Sequence, residues 1–325
     1  MKSVLCAIRV CLVIILSSLT VFAGGPEIRG VDDLGRTVVL PKPPERIIVL
    51  TGTPIDAIFE LGAGDKIVGV VDSMADSYPD TVKKYPELLK KERVGRFDNP
   101  YIEKIMELNP DLIIPYASLD TPGKYTAIFD QRGLPYAGFS TVENFRFGLD
   151  QILRLGVLLG KKSEAEVLVE RLRSEVDGLS ATIASNIKTR PLVYYWWGQD
   201  NGTYGRKAAV HELIGLAGGV NLAGDFDRKY MELSPEYVIS RNPDVIIVSY
   251  WKERDREPRL RELVAKPGFR ELNAVKNDRI YSIDGHSFHT PIRFAEVIRK
   301  LAGFIHPELM DGGVFAKENN KKTSD

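Results

Sequence analysis

Beyond residue 11 the sequence contains no cysteine. Its two cysteines, Cys6 and Cys11, lie inside the first apolar stretch, and neither stands at the end of that stretch, where a lipid-attachment cysteine belongs. Once the stretch is cleaved, the remaining chain can form no disulfide, no thiolate metal site and no cysteine nucleophile. An excess of charge is missing too: 44 basic residues balance 44 acidic ones. That balance excludes a nucleic-acid binder driven by phosphate contacts. No Gly-x-x-x-x-Gly-Lys-Ser/Thr loop occurs, so any use of ATP falls to a partner. Gly285-His-Ser-Phe-His289 approaches the Gly-x-Ser-x-Gly elbow but lacks the final glycine. Both histidines after Ser287, His289 and His306, precede Asp311, so the order serine, aspartate, histidine cannot be built there. No catalytic residue is assigned, and the chain is not read as an enzyme.

What the N-terminus does hold is a secretion pattern. Lys2 and Arg9 supply positive charge, and residues 10–22 are apolar but short for a bilayer. Val21-Phe22-Ala23 before Gly24 fits signal-peptidase cleavage, so residues 1–23 are expected to be a signal peptide cut near Ala23. The protein is then periplasmic or otherwise extracytoplasmic; a retained anchor helix is the alternative. Losing Lys2 and Arg9 tips the rest to a net charge of about minus two. With 325 residues, 44% hydrophobic and 27% charged, there is room for two globular domains with cores of their own.

Helical and strand-like stretches alternate, which predicts an α/β class with mainly parallel sheets. Residues 46–50 and 66–71 read as strands. Between them Thr53, Pro54 and Asp56 read as N-cap, first-turn proline and first-turn acid of a helix stopping near Gly62. Glu103-Lys-Ile-Met-Glu-Leu-Asn109-Pro110-Asp111-Leu-Ile-Ile114 recurs as Glu236-Tyr-Val-Ile-Ser-Arg-Asn242-Pro243-Asp244-Val-Ile-Ile247. In each copy a short helix ends before the proline and a buried strand begins. Between the copies, residues 149–159 predict one helix stopped around Gly160. Ser163-Glu-Ala-Glu166 then reads as a capping box opening a second helix. Its stripe Ala165, Leu168, Leu172, Val176, Leu179 and Ile183 runs over about five turns. Pro191 precedes a strand at 192–195. The division expected is an N-terminal lobe 27–162, a connecting helix 163–188, a C-terminal lobe 189–312 and a disordered tail 313–325.

At this point the sequence resembles the substrate-binding proteins of ABC importers for ferric siderophores, haem and cobalamin, whose lobes are bridged by one long helix. The resemblance runs from about Asp32 to His306. It rests on Arg46-Ile-Ile-Val-Leu, Leu61-Gly-Ala-Gly-Asp-Lys-Ile-Val-Gly-Val, Val94-Gly95 and the first Asn-Pro-Asp segment. Further matches are Gly218-Gly-Val-Asn221, Ser234-Pro-Glu-Tyr-Val-Ile, Ala274-Val-Lys-Asn-Asp-Arg-Ile-Tyr281 and Phe304-Ile-His-Pro-Glu308. It implies two Rossmann-like lobes joined by one long α-helix, a monomer, and a ligand cleft that closes modestly. It also implies delivery to a two-fold symmetric permease driven by a separate ATPase. Glu103 and Glu236 match the exposed glutamates that, in such proteins, pair with arginines of the permease. A ferric siderophore-like chelate comes first among ligands, cobalamin or haem second. A sensor module built on the same lobes is a further alternative.

In open α/β sheets ligands sit beyond the carboxyl ends of the strands. The loops expected there are aromatic, with Phe97, Tyr116, Trp197, Tyr204, Tyr250 and Trp251, and Thr53 belongs to the first of them. Such rings suit a bulky, partly planar ligand, each adding roughly 0.5–1.5 kcal/mol beyond burial. Of the run Tyr194 to Trp197, about half should face the core, because strand side chains alternate. Arg96, Arg206 and Lys252 are candidates to neutralise an anionic chelate. Related siderophore binders place an arginine in the loop of Arg96, although Phe97 stands at the matching spacing. His286 and His289 form a His-x-x-His pair in the last loop, able to ligate metal or to hydrogen-bond an organic ligand. No complete protein metal site and no resident cofactor is assigned.

Overall fold

The computed structural model describes residues 27–117, 124–198 and 201–311. The expected signal peptide, the expected tail and parts of two cleft loops fall outside the described residues.

The class is α/β, with two Rossmann-like lobes joined by one long helix. In the first lobe the strands Glu92–Arg93, Ile67–Val70, Ile47–Val49 and Leu112–Ile114 lie side by side in that order, all parallel. Parallel bridges from Ile113 to Tyr136 and from Tyr116 to Phe139 extend the sheet. In the second lobe the order is Val220–Asn221, Leu192–Trp196, Val245–Tyr250 and Ile280–Asp284, again all parallel. Apart from the extra edge strand Glu92–Arg93, both sheets follow the same path. Each starts at an inner strand, goes once to one side, then crosses to the other. Central runs such as Ile47–Val49 and Leu112–Ile114 are wholly buried, as strands covered on both faces must be.

The repeated Asn-Pro-Asp explains itself. Asn109 and Asn242 adopt φ of 45° and 46°, left-handed geometry that asparagine tolerates, and end the helices Ile102–Glu107 and Pro235–Arg241. The Asp111 carboxylate accepts hydrogen bonds from the backbone N–H of Glu45 and Arg46, both at 2.8 Å. Asp244 likewise accepts from Leu192 N–H at 2.8 Å. Each aspartate therefore pins the start of one strand to the start of the lobe's first strand.

The long helix spans Lys162–Asn186, about 38 Å at the usual rise. Every residue of the expected stripe is buried, with Val169 beside it. It packs on the helix Phe145–Leu158 from one side of the chain and on Phe294–Ile305 from the other. Its start differs from the expected capping box: Lys161 is the N-cap and no side chain caps the first turn. The turn around Gly160, at φ 67°, brings Lys161 in tightly, so the helix begins one residue before Ser163. The preceding helix starts earlier than expected because the Asn144 side chain accepts from Phe147 N–H. Thr53 is not a cap either. Pro54 is the N-cap of Ile55–Glu60, and Ile55 N–H bonds the Gly52 carbonyl instead.

Polar links also cross between the lobes. Arg293 reaches the fully buried Asp56 at 3.3 Å and Thr81 at 3.0 Å. Lys229 meets Thr141 at 3.1 Å and Glu143 at 3.2 Å. Glu212 accepts from Phe145 N–H at 2.6 Å.

Candidate functional site

The strand order reverses at the first strand of each sheet, and both sheets aim their carboxyl ends into the gap between lobes. That is where an open α/β fold leaves a crevice. A cavity of about 430 Å³ occupies it. The first lobe contributes Thr51, Thr53, Tyr78, Phe97, Tyr116 and Thr141 to the wall. The second contributes Trp197, Tyr204, Tyr230, Trp251, His286 and His289. A hollow of about 380 Å³ beside Ile183, Lys188 and Arg190 has no aromatic lining and lies away from the strand ends.

Strand geometry sorts the aromatic residues. Tyr194, Tyr195 and Trp196 are core, all but inaccessible, while Trp197 leaves the strand end and enters the wall. Trp251 does the same after Val245–Tyr250. Tyr204 pairs with Tyr230 across an antiparallel ladder, ring centroids 5.1 Å apart. Two glycines make room for the wall. A Cβ at Gly52 would collide with the Tyr78 ring, and one at Gly202 with the Trp197 indole.

The two histidines differ sharply. His286 Nδ1 lies 3.0 Å from Asp284 Oδ1, which also accepts from the His286 backbone N–H at 3.0 Å. A carboxylate oxygen accepts, which favours the neutral tautomer with the proton on Nδ1 and the lone pair on Nε2. Trp251 stands edge-on to the His286 ring at 4.7 Å and 89°, and Tyr78 touches it from the other lobe at 4.5 Å. His289 lies parallel to Trp251, at 6.1 Å and 7°. It is buried, and its Nδ1 has no hydrogen-bond partner among the described residues. Burial, then the neighbouring His286 and Lys229, push its pKa down to about 4, so it is neutral at physiological pH.

The charged candidates sit elsewhere. Arg96 is exposed and forked onto Asp98 at 2.7 and 2.8 Å. Arg206 is exposed and meets Asp227 at 3.4 Å. Neither lines the cavity, and nor do Lys252 and Tyr250. The Tyr250 phenol is pushed up to about 12 by burial, with Glu253 adding to it. No lysine, arginine, aspartate or glutamate is among the described wall residues. Phe97 is 56% exposed and stands at the mouth, edge-on to Tyr116 at 6.1 Å.

Tyr78, Thr141 and Tyr230 are wall residues that sequence reasoning misses. Tyr78 follows a short helix several residues after its strand. Tyr230 reaches the cleft only through pairing with Gly202–Tyr204, a partner 26 residues away with no hairpin signal between.

Glu103 and Glu236 are exposed in the first turns of Ile102–Glu107 and Pro235–Arg241. Neither forms an ion pair among the described residues.

The profile of the family described as periplasmic binding protein matches residues 47–286. A substrate-binding lipoprotein of an ABC transporter in Bacillus subtilis is 25% identical over 282 residues, 85% of this chain and 85% of its own. The vitamin B12-binding protein of Vibrio cholerae is 28% identical over 257 residues, 77% of this chain and 85% of its own. The solved periplasmic haem-binding protein of Roseiflexus sp. RS-1 superposes with a TM-score of 0.69 at 27% identity, covering 81% of this chain and 98% of its own.

Proposed function

This chain belongs to the periplasmic binding protein family, and from that premise we propose that it captures a flat metal chelate between its lobes and hands it to an ABC permease. The ligand class the cavity favours is a metal macrocycle of the corrin or porphyrin kind. One observation carries this choice: the wall is made of aromatic rings, threonines and two imidazoles, with no fixed charge among its described residues. An anionic ferric siderophore would be met by cations. Arg96 and Arg206 are instead engaged by aspartates outside the wall. A siderophore therefore drops behind the macrocycles. The relatives named for vitamin B12 and haem are of the favoured kind.

In this reading residues 27–162 and 189–312 are the lobes and 163–188 the connecting helix. The protein works outside the cytoplasmic membrane as a monomer. Thr53, Phe97, Tyr116, Trp197, Tyr204, Trp251, His286 and His289 contact ligand, with Tyr78, Thr141 and Tyr230 beside them. Glu103 and Glu236 dock on a two-fold symmetric permease whose ATPase is a separate protein. The role is capture and delivery, with no catalytic step. The test is the absorption spectrum and intact mass of protein isolated with its natural ligand, followed by titration with hydroxocobalamin, haemin and ferric enterobactin-type catecholate. A corrinoid or porphyrin spectrum supports the reading. Tighter binding of the ferric catecholate than of either macrocycle overturns it.

A further inference from the structure

We propose that Nε2 of His286 is an axial ligand to the central metal of the captured macrocycle, and that Asp284 is the positioning residue that prepares it. This rests on the macrocycle reading and adds a bond to it.

The loop after Ile280–Asp284 brings the His286 ring into the cavity wall, where its side chain keeps 17% of its exposure. Asp284 accepts the Nδ1–H hydrogen bond at 3.0 Å, so in the neutral ring the remaining nitrogen offers a lone pair. Among the described residues that Nε2 has no hydrogen-bond partner. A carboxylate behind an imidazole is the arrangement that fixes ring and tautomer and raises donor strength at metal centres. Trp251 and Tyr78, at 4.7 and 4.5 Å, hold the ring from two sides, one from each lobe. His289 does not serve. Its unpartnered Nδ1 is sealed from solvent, under the stacked indole of Trp251.

The ligand class follows from what surrounds His286. Among the described residues no group of three or more histidine, cysteine, aspartate or glutamate side chains could hold an ion. A lone imidazole binds a metal firmly only where the remaining coordination positions are filled by the ligand's own atoms. A macrocycle with four equatorial nitrogens meets that condition and leaves its axial face open to one protein donor. The bond forms from the Nε2 lone pair by displacing an exchangeable axial water, with no redox change.

The experiment titrates the full-length protein with haemin and with diaquacobinamide, whose axial waters exchange. Tryptophan quenching reports binding, and visible absorption with electron paramagnetic resonance of the ferric haem reports nitrogen ligation. The expected result is a nitrogen-ligated spectrum with at least one probe. His286→Ala should still quench but lose that spectrum, and added imidazole should restore it. Asp284→Asn should keep the spectrum while binding the metal roughly 10–100-fold more weakly, and His289→Ala should weaken binding yet keep nitrogen ligation at saturating probe. Melting curves of each variant establish that it is folded. An unchanged spectrum in folded His286→Ala, or quenching by both probes without nitrogen ligation in the unaltered protein, overturns the proposal and leaves the macrocycle reading standing. Absence of quenching by either probe overturns both.

Discussion

Trp196 and Trp197 are neighbours in sequence with opposite fates. Trp196 is sealed in a buried apolar cluster with Tyr194, Ile246 and Val248, with Lys266 over its ring at 5.3 Å. Trp197 closes over Gly202 into the cleft. Replacing Trp197 or Trp251 by Ala should weaken macrocycle binding by about 1–3 kcal/mol each, measured by titration with haemin and hydroxocobalamin. Unaltered affinity in both, with native melting curves, would remove the cleft assignment. His289 gives a pH prediction. An unfolded histidine takes up its proton near pH 6.5, whereas the folded ring resists until about pH 4. Between these values the unfolded chain holds more protons, so stability falls as pH drops through that window. The loss from this group is about 2 kcal/mol at pH 5 relative to pH 7. Denaturant unfolding at both pH values should show His289→Gln losing less than the unaltered protein. Equal losses would mean that this ring is not the source. The aromatic wall was legible because its rings follow buried strands, a local pattern. The neutral character of the wall was not: an arginine in a loop looks the same whether it faces a ligand or turns onto Asp98 or Asp227.

At the scale of elements, periodic features transferred well and boundaries did not. The long helix is readable because seven buried side chains recur on one face. Its first turn was misread because Ser163 and Glu166 fit a capping box that the Gly160–Lys161 turn pre-empts. The Asn-Pro-Asp repeat was legible as helix, stop and strand. Its role as a pin between strand starts was not, since Arg46 and Leu192 are distant in sequence. Nor does sequence show that the turn Pro291–Arg293, just past the histidine loop, reaches across to Ile55–Glu60. There Arg293 meets Asp56, which has no exposed surface at all. Removing one partner of a buried pair leaves the other charge uncompensated. Arg293→Ala should therefore cost about 3–5 kcal/mol in denaturant unfolding. Arg293→Met combined with Asp56→Asn should recover much of that loss. If Arg293→Ala unfolds at the original denaturant concentration, the link does not hold the lobes together.

For the molecule as a whole, the two lobes repeat more than their sheets. Glu103 and Glu236 stand at the same step of matched helices, six residues before Asn109 and Asn242. One turn further on, each helix exposes an apolar side chain, Met106 on one lobe and Ile239 on the other. An acid in a first turn is favoured by the helix dipole by roughly 0.3–1 kcal/mol, which accounts for each glutamate singly. It does not account for the paired apolar neighbour or for the same register on both lobes. A partner with two-fold symmetry meets two equivalent surfaces at once, and repeated acids suit cations on such a partner. Glu103→Arg and Glu236→Arg should then leave ligand affinity and melting temperature nearly unchanged. Each should slow uptake in a reconstituted transporter, and the double change should abolish it. Because rim charges act mainly on encounter, complex formation should also weaken as salt rises. If the double variant melts early yet transports normally, the two acids serve their own helices and the docking reading fails. A transport defect in a folded protein that still binds ligand is the result that only docking explains.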